Sequence, residues 1–189
     1  MSKIALSGDA SGTGTFTIAS PNSNSNYTLT LPTNSGTVLT NASNSNFPTG
    51  SVLQVVQAQT NASITTTNTS PTASGFVASI TPKSSSSKVL VMVNGGNYFN
   101  DTDGREVWTF MYRQIAGGGY SALLSGNILD ISAAFGAVLR ATHSICVLDS
   151  PGTTSQVDYQ PYFRSNTGGT SYFNAATPYV TMTLMEIAG

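Results

Sequence analysis

Charge is what this chain has least of. Lys, Arg, Asp and Glu make up 8% of its 189 residues, against roughly 25% in ordinary globular domains. From Ala10 to Pro82 no charged side chain occurs at all. Net charge is −1. The basic footprint that nucleic-acid binding needs to displace counterions is therefore missing. An electrostatic membrane anchor is excluded on the same ground.

Thiol and imidazole are nearly absent too. A single cysteine, Cys146, rules out an internal disulfide. Zinc takes about four N or S ligands, and His143 with Cys146 offers two in total. No apolar run approaches the length of a membrane span. Gly8 and Asp9 follow close on Met1–Ile4, where a signal peptide would place its apolar core. The expectation is synthesis in a host cytoplasm with no secretory route. The sequons at Asn26, Asn41, Asn61, Asn68 and Asn100 then read as chance in a chain rich in Asn, Ser and Thr.

Catalytic patterns are missing as well. No Gly-x-Ser-x-Gly elbow exists. His143 lies in Ala141–Leu148, where alternation places it with Ile145 and Val147 and sends Cys146 and Leu148 to the other face. The two reactive side chains therefore diverge. His143 reads as structural and Cys146 as a small core hydrophobe. Asp101-Thr102-Asp103-Gly104 is similar to part of a calcium loop. Phe99 and Phe110 stand where that loop needs acids, so it reads as a tight turn. The acids Asp9, Asp101, Asp103, Glu106, Asp130, Asp149, Asp158 and Glu186 show no spacing that singles out a glycosidase pair. Gly117–Gly119 lacks the Lys and the helix of a phosphate loop. The reading is a non-enzyme with no catalytic residue, no metal and no cofactor.

What replaces charge is Ser, Thr, Asn and Gly, with 39% hydrophobic residues. In residues 1–49, apolar side chains alternate with Thr at Thr15–Ile18, Tyr27–Leu31 and Gly36–Thr40, the period-two mark of strands. Turn-rich segments separate them. Three such strands hold too little apolar area to fold alone, so this segment reads as an oligomeric β-stem that ends in an uncharged linker, Asn41–Gly50.

Residues 50–189 read as one β domain. Strands are predicted at Ser51–Gln57, Phe76–Ile80, Lys88–Asn94, Glu106–Arg113, Tyr120–Leu124, Ala137–Leu148, Gln156–Arg164 and Val180–Ile187. Turns are predicted between them, one at Asn94-Gly95-Gly96. Ile128–Phe135 has room for one helical turn between Gly126 and Gly136. The fold class is all-β, a jelly-roll-like sandwich knob preceded by a short stem.

Three Tyr-Phe pairs stand out: Tyr98-Phe99, Tyr162-Phe163 and Tyr172-Phe173. On a strand each pair sends one ring to each face. One ring fills the core, and the other meets solvent, a neighbouring subunit or a ligand. These six residues are the candidate interface or ligand-contact aromatics.

Several stretches carry a family resemblance. Thr28-Leu29-Thr30-Leu31-Pro32 with Ser35–Leu39, the run Ser79–Val91, Leu148–Thr154 and the ending Thr183–Ile187 resemble segments of tail-fibre-like virion structural proteins of marine bacteriophages. The resemblance implies a homotrimeric short tail fibre on the virion surface. Its knob would bind the host surface, a glycan or a protein, and the N-terminal segment would join other virion proteins. It brings no catalytic residues. The short length leaves a head fibre or capsid decoration protein as the alternative, with a glycan depolymerase ranked last.

Overall fold

The structure is a computed structural model. It describes residues 47–124, 126, 140–175 and 178–189, the backbone of 129–132, and scattered positions between 11 and 35. The chain divides into two units, 1–37 and 38–189. The predicted stem strands lie almost wholly outside the described residues. Every strand among the described residues belongs to the second unit.

Twelve strands occur among its described residues, in chain order. β1 is Val52–Thr60, β2 Ile64–Thr66, β3 Thr72–Ala73 and β4 Ala78–Ile80. The long β5, Lys88–Asn100, leads into β6, Glu106–Ile115, then β7, Ser121–Ala122, and β8, Leu129–Ser132. β9 is Ala141–Asp149, β10 Val157–Ser165, β11 Ser171–Phe173 and β12 Val180–Ile187. No helix occurs among the described residues.

All pairing is antiparallel, in two sheets. The first runs β1-β12-β5-β11-β2, with β9 also on β5; the second runs β3-β10-β6-β7, with β4 on β10 and β8 on β6. This is the expected all-β, jelly-roll-like sandwich. The reason is visible in single strands. β12, Val-Thr-Met-Thr-Leu-Met-Glu-Ile, alternates buried and half-buried along its whole length, so one face joins a core and the other does not. Val89, Val91 and Val93 of β5 and Met182 and Leu184 of β12 meet Val107 and Met111 of β6 and Tyr159 and Phe163 of β10 in one apolar cluster.

Three expectations are corrected. The chain does not turn at Asn94-Gly95-Gly96; β5 continues through it, and its pairing with β9 slips between Gly95 and Tyr98. Both glycines have positive φ, and a side chain at Gly96 would press on the Tyr98 ring and Val180. Here glycine marks a bulge under close packing rather than a hairpin. Residues 129–132 form a strand on β6, not a helical turn. Cys146 is exposed, not core: among the described residues β9 pairs only with β5, and Cys146 is on its outward face. The turn expected at Asp101–Gly104 is present, closed by the Arg105 amide donating to the Thr102 carbonyl at 3.1 Å.

Polar side chains tie the sheets together inside. Asp149 of β9 accepts from Arg113 of β6 at 2.5 Å, from the Tyr159 hydroxyl of β10 at 2.8 Å and from the Ser150 amide at 2.8 Å. Burial, and then the neighbouring Asp149 carboxylate, push the Tyr159 phenol well above its usual range. At the other end, buried Asn100 donates to the hydroxyls of Ser165 and Ser171 and to the Gly168 carbonyl, and accepts from the Thr102 amide. Glu186 takes a core position on β12. Its carboxylate is held by Gln54 at 2.6 Å and the Lys83 amide at 2.7 Å, which supplies the partners a buried carboxylate requires.

Candidate ligand-binding face

The outer face of the second sheet is built from alternation on β6. Val107, Thr109 and Met111 point inward and are buried. Trp108, Phe110 and Tyr112 therefore stand in a row on the opposite face, each partly exposed. β10 runs antiparallel beside it, setting Arg164 across from Trp108 and Tyr162 across from Phe110.

At one end the Arg164 guanidinium lies 4.3 Å over the Trp108 ring and 5.9 Å from that of Phe110, within cation–π range. Its position is fixed by donation to the Thr69 carbonyl at 2.7 Å. The Trp108 indole N–H donates to Glu106 at 3.0 Å, and Asn166 binds the same carboxylate oxygen. These contacts hold the Arg164 head and the Trp108 ring in place, while the buried Arg164 Nε has no hydrogen-bond partner among the described residues.

At the other end three tyrosines gather. Tyr162 stacks on Tyr112 at 4.0 Å with 23° between planes, and Tyr120 tilts toward Tyr162 at 5.9 Å. Burial raises the Tyr120 phenol pKa, helped by the nearby Asp158 carboxylate and Tyr162. Burial, and then Tyr112, raise that of Tyr162. Both phenols stay protonated at neutral pH and remain hydrogen-bond donors. Asp158 accepts from the Gln156 amide at 2.8 Å. The cluster offers ring carbon, phenolic donors and a carboxylate acceptor on one surface. That combination suits a ligand with apolar patches and many hydroxyls.

No protein-family model matches this chain, and no curated protein matches it. Among solved structures it is similar to infectious bursal disease virus proteins. One is the crystal structure of the VP2 subviral particle, at 13% identity and TM-score 0.34 over 72% of this chain and 38% of that one. Another is the Gx strain structure, at 13% identity and TM-score 0.33 over 72% and 37%. A third is the Gt strain structure, at 13% identity and TM-score 0.28 over 75% and 37%. This chain spans less than two fifths of the length of each.

The six aromatics singled out from the sequence separate into three places. Tyr98, Phe163 and Phe173 are core rings. Tyr98 packs edge-on to Phe173 at 5.2 Å and to His143 at 5.3 Å. Phe99 and Tyr172 stack on each other at 4.4 Å and 5° as direct cross-strand partners, with Arg140 4.5 Å over the Phe99 ring. Phe99 is thus buried although it is the second ring of its pair; its cover is supplied from within the chain. Tyr162 alone joins the aromatic face. Trp108, Phe110, Tyr112, Tyr120 and Arg164 are not singled out by the Tyr-Phe pattern. The Trp-x-Phe-x-Tyr spacing of 108, 110 and 112 is the signal that points to them.

His143 is inward and buried, with Thr109 Oγ1 3.4 Å from each ring nitrogen. Burial pulls its pKa down to about 4, so the ring is neutral at pH 7. Among the described residues no three His, Cys, Asp or Glu side chains converge on a metal-sized site, and no helix is long and apolar enough to cross a membrane.

Proposed function

We propose that this chain is a non-enzymatic virion structural protein, a homotrimeric short tail fibre of a phage. Its β-sandwich knob meets the host surface through the aromatic face of the second sheet, and residues 1–49 form the stem that attaches it to the particle. The partly exposed cluster of Tyr112, Tyr120 and Tyr162 beside Asp158 carries this reading. It is an outward patch of rings and donors that the core does not use. The resemblance to tail-fibre-like proteins and the scarcity of charge support the particle setting. A surface glycan is the ligand class that fits, its ring C–H face on tyrosine carbons and its hydroxyls on phenols and carboxylate. Three such patches on one trimer bind by avidity, so each site functions at modest affinity.

Imaging labelled antibody on intact particles tests the setting, and competition tests the binding. Label at the tail is expected, and excess soluble protein should block adsorption of particles to host cells. Label on the head shell would overturn the fibre reading in favour of a decoration protein. Release of reducing ends from host polysaccharide by the purified protein would overturn the non-enzymatic one.

A further inference from the structure

The outer face of the first sheet differs from the aromatic face in kind. The registers of β1, β12, β5 and β9 lay its side chains in straight rows. One row reads Val55, Met185, Leu90, Leu148 across all four strands. Next to it on one side stand Val52, Ile187 and Lys88. On the other side come Gln57, Thr183, Met92 and Cys146, and then Gln59, Thr181, Asn94 and Ser144. Lys88, at the rim, is the one charged residue of these rows.

Three of these apolar side chains are more than half exposed: Val52 at 53%, Val55 at 56% and Leu148 at 54%. The polar rows satisfy one another within the sheet. Gln57 and Gln59 donate to Thr183 and Thr181, and Ser144 donates to Asn94 at 2.7 Å. Each pair thus meets part of its hydrogen-bonding capacity within the sheet, which lowers the desolvation cost of covering it.

We infer that this face is the surface through which copies of the chain pack against one another. The inference rests on the homotrimer reading and names its interface. A face with almost no charge has nothing to steer a partner of opposite sign; a second neutral sheet face fits it, and each copy of this chain carries one. Position agrees as well. The most exposed residues of the central row, Val55 and Leu148, sit on the two edge strands β1 and β9, while Met185 and Leu90 lie between. In a threefold ring the β1 edge of one copy meets the β9 edge of the next, and the middle of the row faces the axis. Head-to-tail contacts of this kind close when the rotation permits. Four strands about 4.8 Å apart with same-face residues about 7 Å apart give a footprint on the order of 500 Å². A ring divides that area between two neighbours, so each contact is smaller than the roughly 800 Å² per partner of a standard interface, and closure of the ring, in which every copy makes two contacts, supplies the rest of the stability.

Light scattering on the full chain, read beside alkylation of Cys146 by a maleimide, tests this. The wild type is expected at about three times 19.6 kDa, with Cys146 reacting at least ten-fold slower than in free peptide. Leu148→Asp and Val55→Asp should each drop to the single-chain mass with an unchanged far-UV spectrum and fast alkylation. Ser121→Asp, on the other sheet, should remain trimeric. A trimeric wild type with fast alkylation, or Asp variants that stay trimeric, would overturn this interface and leave the trimer standing. A wild type at 19.6 kDa with exposed Cys146 would overturn the trimer itself. A monomer with protected Cys146 would mean that the chain's own N-terminal segment covers the face, and would overturn both. Because the wild-type alkylation rate is read directly, the inference stays open to refutation even where a variant fails to fold.

Discussion

The carboxylate of Asp149 accepts a 2.8 Å hydrogen bond from the hydroxyl of Tyr159, and the two residues belong to opposite sheets. Asp149 also pairs with Arg113 of the second sheet at 2.5 Å. One acid thus fastens the sandwich at this end. Removing it strands a buried phenol and a half-buried guanidinium. Asp149→Ala should lower unfolding free energy by about 3 kcal/mol, measured by urea denaturation. Tyr159→Phe leaves the ion pair in place and should cost about 1 kcal/mol. Equal losses from the two would show that the tyrosine, not the ion pair, dominates.

His143 should impose a pH slope on stability. Its folded pKa is about 4, held down by burial, whereas an unfolded histidine titrates near 6.5. Between those values the unfolded chain binds a proton that the folded chain refuses, so stability falls as pH falls from about 6.5 toward 4. The full effect is on the order of 3 kcal/mol. Melting temperatures across pH 4 to 8 should show the slope in the wild type. The difference between wild type and His143→Gln isolates it from the carboxylates.

Asn100 fixes the opposite end of the sandwich. Its amide nitrogen serves Ser165, Ser171 and Gly168 from a buried position. Asn100→Ala leaves those groups without their shared donor and should cost about 2 to 3 kcal/mol. The same burial closes the Asn100 sequon to glycosylation in the folded protein.

Tyr112 and Tyr120 should matter for adsorption and little for stability. Tyr112→Ala with Tyr120→Ala should lose competition with particles for host cells by ten-fold or more, because avidity multiplies a small loss at each of three sites. The melting temperature should move by only a few degrees. Unchanged competition would remove the aromatic face from the binding account.

Much of the fold is legible in the sequence wherever a strand is long enough to show its period. β1, β6, β9, β10 and β12 each carry several alternations and are anticipated within a few residues, whereas β5 starts at Lys88 as expected but runs through the expected turn to Asn100. β2, β3 and β11 are two or three residues long, too short for any period. The long strands beside them place β3 and β11, as Ala73 opposite Tyr162 and Tyr172 opposite Phe99 illustrate, and β2 follows by pairing with β11. The difference at Gly95-Gly96 has a physical basis. Glycine permits both a turn and a close approach, and only the Tyr98 ring and Val180 packed against it decide between them.

The candidate site is less legible. The Tyr-Phe pairs draw attention to adjacent residues, but a sheet face is assembled from every second residue. Thus Trp108, Phe110 and Tyr112, spaced by two, form the surface that Tyr162 joins. Cys146 differs from expectation for a related reason. Alternation separates two faces without saying which is inward, and on an edge strand the outward face has no second layer.

The position of β12 has a consequence for how the protein is made. β12 lies between β1 and β5, so among the described residues Val55 finds its cross-strand partner only in Met185. On the ribosome β1 emerges early and waits, unpaired along both edges, while the intervening chain is translated. The first sheet can close only after Val180–Ile187 clears the exit tunnel, and such non-local closure is slow. A nonsense codon anywhere before β12 therefore yields no partial knob, only an open sheet edge prone to pairing with its siblings.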